Sequence, residues 1–274
     1  MADDTLARMR LVLLGTGAAD YDWSRLGEPG VRGSTSSLLN GHILIDCGAT
    51  GLRNLQRNGI DFGAVDTLLV THSHGDHFQP DQIVELARTP GKAKPFRIYA
   101  APEALAQLPE AGDFEKRELA PGLHFQLGEL NVTALPANHL TDFPSEQAYH
   151  FLFESAAGTL LYALDGAGLT KPEWLLIDGI KFDWIVIDCT MAEEGDWRIF
   201  EHNDRTVVRH LLATFRNRGM IDETTRVVLN HLARTLWPED EKLIQAKAAE
   251  IGAQAAFDGM TLERERRYSA PVGV

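Results

Sequence analysis

The chain has 274 residues, 44% of them hydrophobic and 24% charged, an ordinary composition for a globular enzyme and enough for one large domain or two modest ones. Its 26 Lys and Arg against 39 Asp and Glu leave a net charge of −13, which repels polyanions at long range and argues against a general nucleic-acid binder. No apolar run approaches the roughly 18 residues of a membrane span, and Met1-Ala2-Asp3-Asp4 lacks the basic and apolar regions of a signal peptide, so a cytoplasmic, membrane-free location is expected.

Residues 10–15 read as a buried strand ending in Gly15-Thr16-Gly17, a tight turn without the third glycine of a dinucleotide fingerprint. Residues 18–35 have no apolar period and are expected as a long loop, with Arg25 and Arg32 solvated or facing an anionic substrate. Residues 37–39 and 42–45 predict a hairpin through Asn40-Gly41. A helix over 51–58 then feeds a strand at 67–70, and Pro80 suits the first turn of a helix over 80–88. Strands follow at 96–101, 124–127, 131–135, 149–154 and 159–164, while 102–120 is polar and helical or irregular.

The second half repeats the pattern. A helix at 172–178 precedes a strand at 183–188, and Asp204 can cap a helix running to Arg218. A strand at 226–230, a helix at 239–251, a short strand at 256–257 and a basic tail complete the chain. Two strand-rich halves that each carry helices, with no linker between them, predict one α/β domain of two packed sheets. The two cysteines, Cys47 and Cys189, each end an apolar run and read as small core residues rather than a disulfide framework.

The densest signal is His72-Ser73-His74-Gly75-Asp76-His77, directly after the apolar run 67–70. Residues two apart share a face of a strand, so His72 and His74 can point together, while Asp76 and His77 bend toward a second point. Imidazole and carboxylate suit first-row divalent metals, and four ligands split two and two predict a pair of them. His139, Asp165 and His231 each follow a predicted strand in the same way, a common plan for active sites built on loops. His124, His150 and His210 belong to no such pattern and are expected to be structural or exposed.

This set, preceded by Asp46 after a strand, resembles the metallo-β-lactamase superfamily over roughly residues 10–262. The resemblance implies a four-layer αβ/βα sandwich with its metals at the edge between the sheets. It implies that His72, His74 and His139 hold one metal and Asp76, His77 and His231 the other, with Asp165 bridging and Asp46 orienting the motif loop. Gly15-Thr16-Gly17, Leu135-Pro136-x-Asn138-His139, Asp188-Cys189-Thr190 and His202-x-Asp204 are similar to the PhnP-type cyclic phosphodiesterases and the tRNA 3′-processing nucleases. Their proton donor corresponds to His202. Two departures stand out. Residues 18–35 contain no cysteine, so the structural zinc of the phosphodiesterases is not expected, and no basic, glycine-rich insertion could build the nucleases' tRNA-binding arm.

The resemblance implies a hydrolase with two divalent ions (Zn²⁺, Mn²⁺ or Fe²⁺), acting on a small or cyclic phosphate ester through a metal-bridging hydroxide. Asp76, Asp165 and His202 are the expected catalytic residues. Carboxylic-ester, lactone or thioester hydrolysis is the alternative, and RNA 3′-end cleavage ranks behind both. The sequence leaves a homodimer open.

Overall fold

The computed structural model describes residues 4–90, 95–110 and 114–269. The first half runs β1 (Asp4–Gly15), β2 (Ser36–Leu39), β3 (Ile43–Ile45), α1 (Gly51–Arg57), β4 (Thr67–Leu69), α2 (Pro80–Ala87), β5 (Phe96–Ala100), α3 (Pro102–Ala106) and β6 (Phe114–Glu118). The second runs β7 (His124–Leu127), β8 (Leu130–Pro136), β9 (Tyr149–Ser155), β10 (Gly158–Ala163), α4 (Lys171–Ile177), β11 (Trp184–Asp188), α5 (Arg205–Asn217), β12 (Arg226–Asn230), α6 (Glu241–Ala249), β13 (Gln254–Ala255) and β14 (Met260–Ser269).

Each half builds a mixed sheet, ordered β14-β1-β2-β3-β4-β5-β6 and β13-β12-β11-β10-β9-β8-β7. In both sheets an antiparallel part meets a parallel part, where β3, β4, β5 and β6 run together, as do β10, β11, β12 and β13. Parallel neighbours need a crossover, which the helices supply. All carboxyl ends of the parallel strands in a sheet therefore open at one edge, and β8, two antiparallel steps from β10, ends there too.

Burial of both strand faces makes the four layers. Leu11 and Leu13 of β1 pack with Trp184 and Val186 of β11 between the sheets. Their neighbours in sequence face outward under helices. Val12 and Leu14 meet Leu55 and Ile83 of α1 and α2, and Ile185 and Ile187 meet Val208 and Phe215 of α5. A period of two with apolar residues on both faces is what a strand buried between a sheet and a helix layer requires. Each such Leu, Ile or Phe contributes about 1.5–3 kcal/mol by leaving water. The predicted αβ/βα sandwich is thus the observed one. No helix among the described residues is long and apolar enough to cross a membrane.

The structure extends or corrects several sequence expectations. β1 begins at Asp4 rather than residue 10, because it pairs along its length with β14. The expected basic tail is that partner strand up to Ser269, and residues beyond it lie outside the described residues. The strand expected at 256–257 falls instead at Gln254–Ala255. Segment 102–120 resolves into α3 and the edge strand β6, with 111–113 outside the described residues. Arg32 is buried rather than solvated or substrate-facing. Its guanidinium donates to Thr16 Oγ1 at 2.9 Å and Glu241 Oε2 at 2.8 Å, tying the loop to α6. Arg25 is exposed and pairs with Glu28.

Candidate metal centre

The strand ends that share an edge bring the predicted ligands together. His72 Nε2 lies 3.0 Å from His74 Nδ1, and His139 Nε2, from the loop after β8, lies 3.2 Å from the same atom. Asp76 Oδ2 is 3.5 Å from His77 Nε2 and 3.4 Å from His231 Nε2. Asp165, at the end of β10, stands between the groups. Its Oδ1 is 3.0 Å from His231 Nε2, and its Oδ2 is 3.2 Å from His77 Nε2, 3.5 Å from His72 Nε2 and 3.7 Å from His139 Nε2. The ligand atoms of His72, His74 and His139 lie within 4.8 Å of one another, as do those of Asp76, His77, Asp165 and His231.

Hydrogen bonds behind the cluster fix which nitrogen faces it. Asp46 accepts from Thr71 N at 2.7 Å, from Thr71 Oγ1 and from His77 Nδ1 at 2.8 Å. Thr71 Oγ1 in turn accepts from His72 Nδ1 at 3.0 Å. The second sheet repeats the device. Asp188 accepts from Thr190 Oγ1 at 3.0 Å, and Thr190 Oγ1 accepts from His231 Nδ1 at 2.8 Å. His139 Nδ1 donates to the Glu201 carbonyl at 3.1 Å. Four histidines thus spend Nδ1–H on the scaffold and present Nε2 inward, an orientation that follows from their partners.

Backbone geometry tightens the same turns. Among the described residues, four non-glycine positions have positive φ, and three of them are Asp46 (61°), Asp165 (56°) and His231 (59°). Such left-handed residues cost about 1–3 kcal/mol each and collect at functional sites. Gly48 makes the close approach between the Asp46 turn and the histidine loop, for a Cβ there would sit 1.8 Å from the Asp76 carbonyl oxygen.

The electrostatics match a cation-binding role. Burial, with His77 and His139 nearby, drives His72 well below the usual imidazole range, and burial lowers His139 to about 4 against the pull of Asp165. Both are neutral at pH 7, with Nε2 of each within 3.2 Å of His74 Nδ1. Burial opposes the charge on Asp165, yet His231 and His77 outweigh it and keep the carboxyl well below its usual range. Burial also opposes the charge on His77, but Asp165, Asp76 and Asp46 raise it well above the usual value. A proton and a cation therefore compete for His77 Nε2. His77 Nε2 and Asp165 Oδ1 are buried and make no hydrogen bond among the described residues. Orphaned ligand-type atoms, neutral imidazoles and a carboxylate between two ligand sets fit a pair of divalent cations. The thiols stand apart. Cys47 and Cys189 are free and buried, with Cys47 pushed by burial up to about 12.

His202 lies beside this cluster, stacked on His231 at 5.3 Å between ring centroids and 5.1 Å from His139. Its Nδ1 donates to Asp188 Oδ2 at 2.9 Å, leaving Nε2 for the cavity it lines. Burial would lower its pKa, but the Asp188 carboxylate raises it to about 9. The cavity, about 180 Å³, is also walled by Ala18, Ala19 and Asp20 from the long loop and by Arg198 and Glu201.

Thr71, Asn203, Asp20 and Arg198 were not singled out by the sequence, although each belongs to the site. Asn203 donates to the Gly166 carbonyl and accepts from Gly168 N, holding the turn after Asp165. Its position beside His202 was the one available signal. Asp20 accepts from Arg234 N and Thr235 N, joining the long loop to the turn after His231.

Comparison with known proteins gives three kinds of match. Residues 42–231 match the family model described as a beta-lactamase superfamily domain. A ribonuclease Z from Methanopyrus kandleri is 30% identical over 131 residues, a match spanning 46% of this chain and 45% of the ribonuclease. Among solved structures, a diphosphatase from the PhnP family superposes with a TM-score of 0.73 at 18% identity, over 96% of this chain and all of that one. Zinc-bound PqqB from Methylobacterium extorquens superposes with a TM-score of 0.70 at 21% identity, over 92% of this chain and 99% of that one. At these identities the superpositions speak for the fold.

Proposed function

The chain belongs to the metallo-β-lactamase superfamily, and from that premise we propose that it is a metal-dependent hydrolase, a phosphodiesterase acting on a small or cyclic phosphate ester. The observation that carries the reading is His202 Nε2, left free beside two ligand sets, with Asp165 within 3.7 Å of histidines in both. His72, His74 and His139 would hold one cation and Asp76, His77 and His231 the other, with Asp165 between them. When bound, the cations supply a water of pKa near 7 and neutralise phosphoryl oxygens as charge builds on them. Zn²⁺, Mn²⁺ and Fe²⁺ all suit these ligands.

The chain's own residues do the rest. Asp46 and Asp188 hold His72 and His231 in one tautomer through Thr71 and Thr190. As the water oxygen bonds to phosphorus, the ester P–O bond breaks, and the leaving oxygen takes the proton from His202 Nε2. Asp188 then stays paired with a neutral ring that regains a proton from solvent. Similarity to a ribonuclease Z supports phosphodiester chemistry, while the net charge of −13 favours a small substrate over RNA.

The test is turnover of bis-nitrophenyl phosphate against nitrophenyl acetate by Mn²⁺- and Zn²⁺-loaded protein. Diester hydrolysis that disappears on chelation and in Asp165→Ala is the expected result. Acetate hydrolysis alone would move the protein to the carboxyl-ester branch and remove the role given to His202.

A further inference from the structure

A second cavity, of about 400 Å³, adjoins the long loop 18–35 and shares no lining residue with the one beside the candidate metal centre. Its volume falls within the range of small-molecule sites, about 300–1,000 Å³. Two tied segments separate the cavities. Ala18 N donates to the Leu232 carbonyl at 3.2 Å, and Arg234 Nε donates to the Asp20 carbonyl at 3.1 Å. Asp20 and Ala233 line the metal-centre cavity, whereas their chain neighbours Tyr21 and Arg234 line the second.

The wall of this second cavity combines aromatic surface with two uncommitted charges. Tyr21, Trp237 and Ile244 line it and are buried. Trp237 Nε1 donates to the Cys189 carbonyl at 2.8 Å, which fixes the indole. Three arginines and two glutamates also line the cavity, and most of that charge is already paired. Arg25 meets Glu28 at 2.6 Å, and Arg32 meets Glu241 at 2.8 Å. One cation and one anion remain. Arg234 donates only through Nε, and among the described residues neither its Nη atoms nor the Glu239 carboxylate has a hydrogen-bond or ion-pair partner. A simple anion would be attracted by Arg234 and repelled by Glu239, and a simple cation the reverse, whereas a molecule bearing both charges suits both residues. We propose that this cavity binds a small zwitterion with an aromatic body, of the aromatic α-amino acid class, its carboxylate on Arg234 and its ammonium on Glu239. The proposal stands apart from the phosphodiesterase reading, because no residue of the candidate metal centre lines the cavity. Each charge-assisted hydrogen bond of this kind should be worth roughly tenfold or more in affinity.

The experiment is calorimetric titration of the Mn²⁺-loaded full chain with L-phenylalanine, and with phenethylamine and phenylpropionate, which lack the carboxylate and the amine in turn. Wild type should bind L-phenylalanine saturably and about tenfold or more tighter than either analogue. Arg234→Gln should erase the margin over phenethylamine and keep the margin over phenylpropionate, and Glu239→Gln should do the reverse. Arg234→Lys, which keeps the charge, should restore part of the lost margin. The titration is repeated after chelation, because an amino acid can also coordinate a metal ion directly, and binding in the second cavity should persist. Binding lost on chelation, no binding of L-phenylalanine by the wild type, or variants that weaken all three compounds alike would overturn the proposal. These affinity ratios are read without turnover, so failure of the phosphodiesterase reading leaves them unchanged.

Discussion

Asp46, Asp165 and His231 each adopt a left-handed backbone conformation that is uncommon for residues other than glycine, though Asp and His reach it more readily than most. The strain is local, and its effect is to turn each side chain back over the strand edge. Behind them, the Asp46–Thr71–His72 and Asp188–Thr190–His231 chains perform the same task in the two sheets. His202 falls in a further group of ligand-type residues, with Asp165, Asp188 and His231, and its Nδ1 is engaged by Asp188 while the residue lines the cavity. General-acid help is worth about 10²–10⁴-fold. His202→Ala should therefore slow an alkyl phosphodiester by that order and a nitrophenyl diester far less, since nitrophenolate departs without a proton. Steady-state kcat on the two esters checks this, and an equal loss on both would show that His202 does something other than protonate.

At the level of elements, β9 and α4 meet through a buried charge pair. His150 Nδ1 lies 2.6 Å from Glu173 Oε1, and both side chains are at most 1% exposed. Glu173 also closes the capping box of α4 with Thr170. The ring backs the turn after Asp165, where a Cβ on Gly166 would sit 2.6 Å from His150 Nε2. Removing one partner of such a pair costs about 3–5 kcal/mol, so Glu173→Ala should lower the unfolding free energy by that order in denaturant melts. Burial would lower the His150 pKa, but Glu173 outweighs it and the value rises. A raised folded pKa gives stability that is complete below the unfolded pKa of about 6.5 and lost as pH climbs through the folded one. The Tm advantage of wild type over His150→Gln should therefore shrink as pH rises above about 6.5. An advantage that stays constant would mean the pair is not held by imidazolium charge.

For the whole molecule, the decisive feature is that the candidate ligands come from both sheets. His72, His74, Asp76 and His77 follow a strand of the first, and His139, Asp165 and His231 follow strands of the second. Bound cations would tie the sheets together at the open edge. Ligand present at about 100 times its Kd stabilises a fold by about 2.7 kcal/mol, and a domain of this size shifts by about 2–4 °C per kcal/mol. Thermal unfolding should thus fall by several degrees after chelation, recover on adding Mn²⁺ or Zn²⁺, and show neither change in Asp165→Ala. A melt indifferent to chelation in the wild type would mean that no such cross-link forms.

Much of this was legible in the chain because it is local. Alternating apolar runs, the Asn40-Gly41 turn, Pro80 and Asp204 at helix starts, and ligand-type residues directly after strands all depend on neighbours in sequence. Asp204 does cap α5 through Val207 N, and Asn40 and Gly41 do take positive φ. What the sequence could not decide depends on residues far apart. β14 looks like a charged tail until β1 pairs with it and Arg8 meets Glu263 across the ladder. Arg32 looks solvated until the Thr16 hydroxyl and Glu241 close around it. Arg198 reads as one more surface charge until the turn before His202 folds it against the cavity. In each case a charged side chain is assigned its role by which distant partner removes it from water, and that is settled by strand register and loop path rather than by any local pattern.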